Sequence, residues 1–148
     1  MSGNPETGVH LWLLLMKAHE ALRRHAEQHI RGLGIGLSDF FVLEVLLHKG
    51  PTPVNEIGRR VRLTSGSITS AVDRLEAKGL VERRLDPADR RTRIVHLTPA
   101  GQKLIGCAFA DHERAMEHAT GGLTPAERAE AVALLKKLGR YAADYSVR

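Results

Sequence analysis

Three Thr-Pro pairs, at 52–53, 98–99 and 124–125, constrain this chain more than any other feature. A threonine hydroxyl accepts a bond from a first-turn N–H, and proline, with no N–H and a helical φ, suits the first helical position. Each pair therefore reads as a helix start. Glu127, three residues after Thr124, completes a capping box. Gly50-Pro51, Gly79 and Gly121-Gly122 supply the stops.

Apolar spacing fills in the elements. Leu11, Leu14, Leu15, Ala18, Leu22 and Ile30 keep a helical period, while Trp12, Leu13 and Met16 widen the stripe to nearly the whole circumference. A helix so apolar needs a cover. Gly32, Gly34 and Gly36 stop it, and Ser38 is expected to cap a second helix that runs to about Lys49, with Leu37 stapled onto Val42. Thr52-Pro53 starts a short third helix through Val54, Ile57 and Val61. Thr64 caps a fourth, whose inward stripe is Ile68, Ala71, Val72 and Leu75.

Residues 80–85 and 92–97 alternate as two strands, with turn chemistry in Asp86-Pro87-Ala88-Asp89. Leu104, Ile105, Ala108, Phe109, His112 and Met116 form the stripe of a fifth helix, and Ala131, Leu134, Leu135, Leu138 and Ala142 that of a sixth. The fold class is thus mainly α with a small β-hairpin. A chain of 148 residues can bury roughly 70% of its unfolded surface as one domain, residues 1–148.

Several function classes drop out. The single cysteine, Cys107, excludes an intrachain disulfide and suits a reducing compartment. The start MSGNPETGVH has no cationic segment ahead of a signal-length apolar core, and the run 11–16 is too short to span a bilayer, so a soluble cytoplasmic protein is expected. There is no Gly-rich phosphate loop, nucleophile elbow or metalloprotease-type His pair, which argues against an enzyme, and no cofactor is expected.

The net charge of +5 favours a polyanionic partner only if the charge is clustered. It is. A short helix, a turn and a second helix with a polar outer face give helix-turn-helix geometry, and the following hairpin reads as a wing. Thr64, Ser65, Gly66, Ser67, Thr69 and Ser70 are short enough to let the fourth helix enter a major groove closely, and Arg74 adds one long donor. Arg90, Arg91 and Arg93, at and beside the hairpin tip, can reach a narrow, negative minor groove. Asp86 and Asp89 would repel phosphate; Asp86 begins the turn, and one carboxylate is expected to orient an arginine fork toward DNA.

The stretches "LTSGSITSAVDRLEAKGLVERR", "DPADRR" and "LTPAGQ" closely resemble the MarR (multiple antibiotic resistance regulator) family of winged-helix transcription factors, and the resemblance covers nearly the whole chain. Within it, the chain looks most like the branch of quinone- and phenol-stress regulators. The resemblance implies a winged helix-turn-helix module at about 37–97 and dimerisation helices at about 6–31 and 99–146. It further implies a homodimeric repressor on a palindromic double-stranded operator, released by a small aromatic, phenolic or oxidant effector. The apolar surface all round the first helix and the long stripe of the last fit such an assembly.

Candidate effector-pocket residues are His10, Trp12, Leu13, Met16, Phe40, Phe41, Phe109 and His112, an aromatic lining with polar handles. The sensing cysteine of the family's peroxide branch matches Trp12 here, which argues against that chemistry. The urate branch carries a first-helix tryptophan, but its other ligand residues have no match. His25 and His29 share a helical face and supply only half a zinc site, so no metal is assigned. Two alternatives stand beside the regulator: a non-specific architectural DNA binder, and a metal or ligand sensor that acts through a protein partner.

Overall fold

In the computed structural model, which describes residues 6–61 and 65–145, the element order is α1 (Gly8–Arg31), α2 (Leu37–Lys49), β1 (Thr52–Pro53), α3 (Val54–Val61), α4 (Ser65–Ala77), β2 (Val81–Leu85), β3 (Arg93–Leu97), α5 (Pro99–Ala119) and α6 (Pro125–Asp144). The strands form one antiparallel sheet in the order β1-β3-β2, with Arg83 opposite Val95 and Thr52 also opposite Val95 on the other side. The expected mainly helical fold with a β-hairpin is what forms.

The core sits where α2, α3 and α4 meet the sheet and α5. Phe40, Leu43 and Leu46 of α2, Ile57 of α3, and Ile68, Val72 and Leu75 of α4 are buried together with Val95 and Ile105. Each large side chain so buried contributes about 1.5–3 kcal/mol. α1 joins this core only through its C-terminal half, at Ala26 and Ile30. Its first turns leave Val9, Leu11, Trp12, Leu14 and Met16 at half exposure or more, and α6 has no buried residue at all. A sizeable apolar surface of α1 and α6 is therefore left uncovered.

Two Thr-Pro pairs behave as their chemistry dictates. Thr98 Oγ1 accepts from the Gly101 N–H at 3.1 Å and donates to the Gly79 carbonyl at 2.6 Å. Thr124 and Glu127 close the capping box reciprocally. At Gly101 the first turn of α5 rests directly on the strand entry, since a Cβ there would lie 1.9 Å from the Leu80 carbonyl oxygen. Gly79, at φ 72°, makes the left-handed turn that delivers α4 into β2.

Two expected caps are corrected. Thr52-Pro53 does not cap a helix: it is β1, paired with β3, and Thr52 Oγ1 donates back to the Gly50 carbonyl at 2.8 Å. The helix begins one residue later, because cross-strand pairing with Ile94 and Val95 claims this dipeptide. Ser38 does not cap α2 either; Gly36 does, with the Phe40 N–H already donating to its carbonyl at 3.0 Å, so Leu37 lies inside the helix rather than before it. Thr64 falls outside the described residues.

Candidate nucleic-acid interface

The inward stripe of α4 packs Ile68, Ala71, Val72 and Leu75 against the core, which turns Gly66, Ser67, Thr69, Ser70, Asp73 and Arg74 outward. Ser65 opens the helix. An exposed face of hydroxyls and a glycine keeps the helix axis close to whatever it docks against.

Across a cleft from this face stands the hairpin. Its tip is fixed by its own acids: Asp86 Oδ1 accepts from the Ala88 N–H at 2.9 Å, Asp89 Oδ1 from the Arg91 N–H at 3.0 Å, and Asp89 Oδ2 from the Thr92 hydroxyl at 3.0 Å. These carboxylates therefore hold turn backbone, and neither forks onto a guanidinium as the sequence suggested. Arg90, Arg91 and Arg93 are all exposed, with Arg93 Nη1 folded back to the Arg90 carbonyl at 3.2 Å.

Between helix and hairpin lies an open cleft of about 680 Å³. Val54 and Ile68 form apolar wall, and Arg59, Arg83, Arg91 and Arg93 bring four guanidinium groups to it, beside Asn55 and Thr69. Arg59 and Asn55 were missed by the sequence reading. Their signal was there: they lie four apart on α3, on the face opposite the buried Ile57. Arg59, Arg91 and Arg93 can meet a phosphodiester strand over this apolar wall, while the charge of Arg83 is taken up by Asp73 and Glu76 of α4.

Arg74 departs from expectation. Its Nη2 lies 2.7 Å from Asp39 Oδ1 and its Nε 3.2 Å from both oxygens, so the fork serves a buried carboxylate of α2. The hydrogen bond to Asp39 raises the guanidinium above its ordinary value. Arg74 thus ties α4 to α2.

The eight proposed effector residues divide. Phe40, Phe41, Phe109 and His112 come together, with Phe40 and His112 ring centroids 5.0 Å apart, and His48, overlooked in the sequence, stacks edgewise on Phe109 at 4.6 Å. Phe40 is fully buried and belongs to the core. His112 is held below its ordinary value by burial, and its Nδ1 is buried without a hydrogen-bond partner. His10, Trp12, Leu13 and Met16 lie on the first turns of α1, where the last three are substantially exposed, and are not among the residues lining the concavity at Phe41 and His48. The concavity that does adjoin the aromatics, about 490 Å³, is lined by Phe41, Glu44, Val45, His48, Lys49, Arg60 and Val61.

His25 and His29 share a shallow concavity with His118. Among the described residues, no group of three or more His, Cys, Asp or Glu is arranged to hold a metal ion. Cys107 is exposed on α5. No described helix is long and apolar enough to cross a membrane.

Comparison with known proteins bears on this geometry. The sequence profile of the MarR family matches residues 33–92. Over 140 residues the chain is 34% identical to the HTH-type transcriptional regulator MhqR of Bacillus subtilis, covering 95% of this chain and 97% of that protein. It is 30% identical over 125 residues to the HTH-type transcriptional repressor NicR of Pseudomonas putida, covering 84% and 79% respectively. Among solved structures, a mutant MarR from E. coli complexed with operator DNA superposes with a TM-score of 0.80 at 27% identity, over 86% of this chain and 92% of that one. BpsR of Bordetella bronchiseptica, whose DNA binding is regulated by 6-hydroxynicotinic acid, gives a TM-score of 0.80 at 29% identity, over 87% and 98%.

Proposed function

The chain belongs to the MarR family of helix-turn-helix transcriptional regulators, which are not enzymes, and from that premise we propose that it is a homodimeric, sequence-specific repressor released by a small aromatic effector. The observation that carries the DNA-binding half is the pairing of a short-side-chain helix face with an arginine-bearing wing across one cleft. Ser65, Ser67, Thr69 and Ser70, with Thr64 ahead of them, read the major groove. Arg90, Arg91 and Arg93 serve the minor groove and flanking phosphates, and Arg59 holds the strand between.

The whole chain, 1–148, acts as one unit in this reading, with α1, α5 and α6 interlocked between two copies. Support comes from the half-exposed Leu11, Trp12 and Leu14 of α1 and from Leu134, Leu135 and Leu138 of α6, apolar area that a second copy would remove from water. Two-fold symmetry then presents two α4 helices to half-sites about one DNA turn apart.

The effector seat in this proposal is recentred on Phe41, Val45, His48 and Lys49, beside Phe109. Aromatic edges, the cations Lys49 and Arg60 and the acceptor Glu44 suit a planar phenol or aromatic acid, and BpsR offers a relative regulated by such a molecule. An oxidant, the other release signal, would have one thiol to act on, Cys107. The test of the proposal is a footprint on duplexes selected from a random pool. Two protected half-sites related by a dyad support it; uniform protection without sequence preference would replace it with architectural binding.

A further inference from the structure

Arg83 looks from the sequence like one more wing cation. Its surroundings give it another role. Its side chain is only 20% exposed, with Nη2 2.5 Å from Asp73 Oδ1 and Nη1 3.0 Å from Glu76 Oε1. The second oxygen of Glu76 accepts the Arg83 backbone N–H at 3.1 Å. One carboxylate thus holds both ends of the residue.

The placement of that N–H matters. β2 is an edge strand, because the sheet order is β1-β3-β2, so an outward N–H has no strand to pair with. Glu76 supplies the acceptor from α4. Asp73 and Glu76 stand three apart on the helix that faces the cleft, and Arg83 reaches both. The wing is therefore joined to α4 by charge-assisted hydrogen bonds at two points of the helix and two points of Arg83.

The geometry points to Arg83 as a positioning residue for DNA recognition: with Glu76 and Asp73, it fixes the angle between wing and recognition helix. This rests on the DNA-binding reading above. A helix in the major groove and a wing in the minor groove can seat together only at one relative placement, so losing the clamp costs sequence discrimination more than phosphate binding. The clamp also offsets one of the two negative charges that Asp73 and Glu76 would otherwise turn toward the DNA backbone.

A sign distinguishes this from a plain electrostatic role. Glu76→Gln removes a negative charge from the DNA-facing surface, and by charge alone it should tighten binding. As a clamp residue it should loosen recognition, since glutamine keeps the length of glutamate and loses one of the two acceptors.

The experiment compares the wild-type protein, Glu76→Gln, Arg83→Lys and the control Glu82→Gln by fluorescence anisotropy on a pool-selected duplex and a scrambled one. Glu82 pairs with Arg84 within the wing and makes no bond to α4 among the described contacts. The expected result is about a tenfold fall in the selected-to-scrambled ratio for Glu76→Gln, with an unchanged salt slope, partial retention in Arg83→Lys, and no fall in Glu82→Gln. Glu76→Gln binding the selected duplex as tightly or more tightly, with the ratio intact, overturns the proposal. Amide exchange reads the clamp without DNA: the Arg83 N–H should exchange faster in Glu76→Gln, and an unchanged rate overturns the clamp. If the wild-type protein itself fails to discriminate, the repressor reading fails, while the exchange result still decides whether the clamp exists.

Discussion

Arg74 and Asp39 meet across the packing of α4 on α2, with Nη2 2.7 Å from Oδ1 and Nε 3.2 Å from each oxygen, and only the carboxylate is buried. The asymmetry sets the cost of breaking the pair. Arg74→Ala leaves a buried carboxylate unpaired and should lose about 1.5–3 kcal/mol of stability, a figure kept low because the guanidinium is half exposed. Asp39→Asn keeps an acceptor and leaves an arginine that water can reach, so it should lose about 1 kcal/mol. Urea unfolding of the two variants checks the order; a larger loss for Asp39→Asn would contradict it.

His112 links stability to pH. Burial holds its imidazole below the ordinary value, against the pull of Glu44 and Glu113 and with help from His29, so the unfolded chain binds a proton more readily than the folded one. Its contribution is therefore full above about pH 6.5 and is lost as pH falls below that toward the folded value. His112→Leu should remove this part of the slope, and with it the orphaned Nδ1. Thermal unfolding of both proteins from pH 7.5 down to pH 5, steps of roughly half a unit spanning the histidine range, should show the difference between them changing with acidity. Parallel curves would place the titration elsewhere.

The wing arginines are not equivalent. Arg91 lines the cleft, whereas Arg84 lies on the hairpin paired with Glu82. Arg91→Ala should weaken DNA binding and reduce the salt slope by about one counterion per lost phosphate contact, and Arg84→Ala should leave both nearly unchanged. Salt titrations of the two variants compare them directly, and an equal effect would mean that hairpin charge acts in bulk.

The uncovered helices predict an assembly. Leu135→Glu on α6, at a side chain half exposed in the single chain, should leave the fold intact and break the dimer, shifting the mass by light scattering from two chains to one. A wild-type protein that is already a single chain would remove the dimer from the account.

Local chemistry was legible in the sequence where local chemistry decides. The Thr124 and Glu127 box, the Thr98 cap, the stripes of α4 and α5, and the Asp86 to Asp89 turn all rest on residues a few positions apart. Thr52-Pro53 carried the same helix-start signal as the other two pairs, yet it became a strand, because β3, some forty positions on, offered it an edge. A comparable distance hid the role of Arg74. Arg74 counted as DNA-facing charge until the fold brought Asp39, 35 positions away, to its fork. Of the aromatic residues grouped in the sequence, those of α2 and α5 come together, whereas Trp12 on the first turns of α1 is exposed.

The central claim is that α4 and the wing read a DNA sequence rather than merely a polyanion. Fluorescence anisotropy at one near-physiological salt concentration tests it most directly, comparing wild-type protein and Ser67→Ala on a pool-selected duplex and its scrambled counterpart. The account predicts a wild-type preference of about a thousandfold or more, and a loss of about 1–3 kcal/mol of that preference in Ser67→Ala if its hydroxyl reads a base. Equal, salt-sensitive binding of both duplexes by the wild-type protein would contradict it.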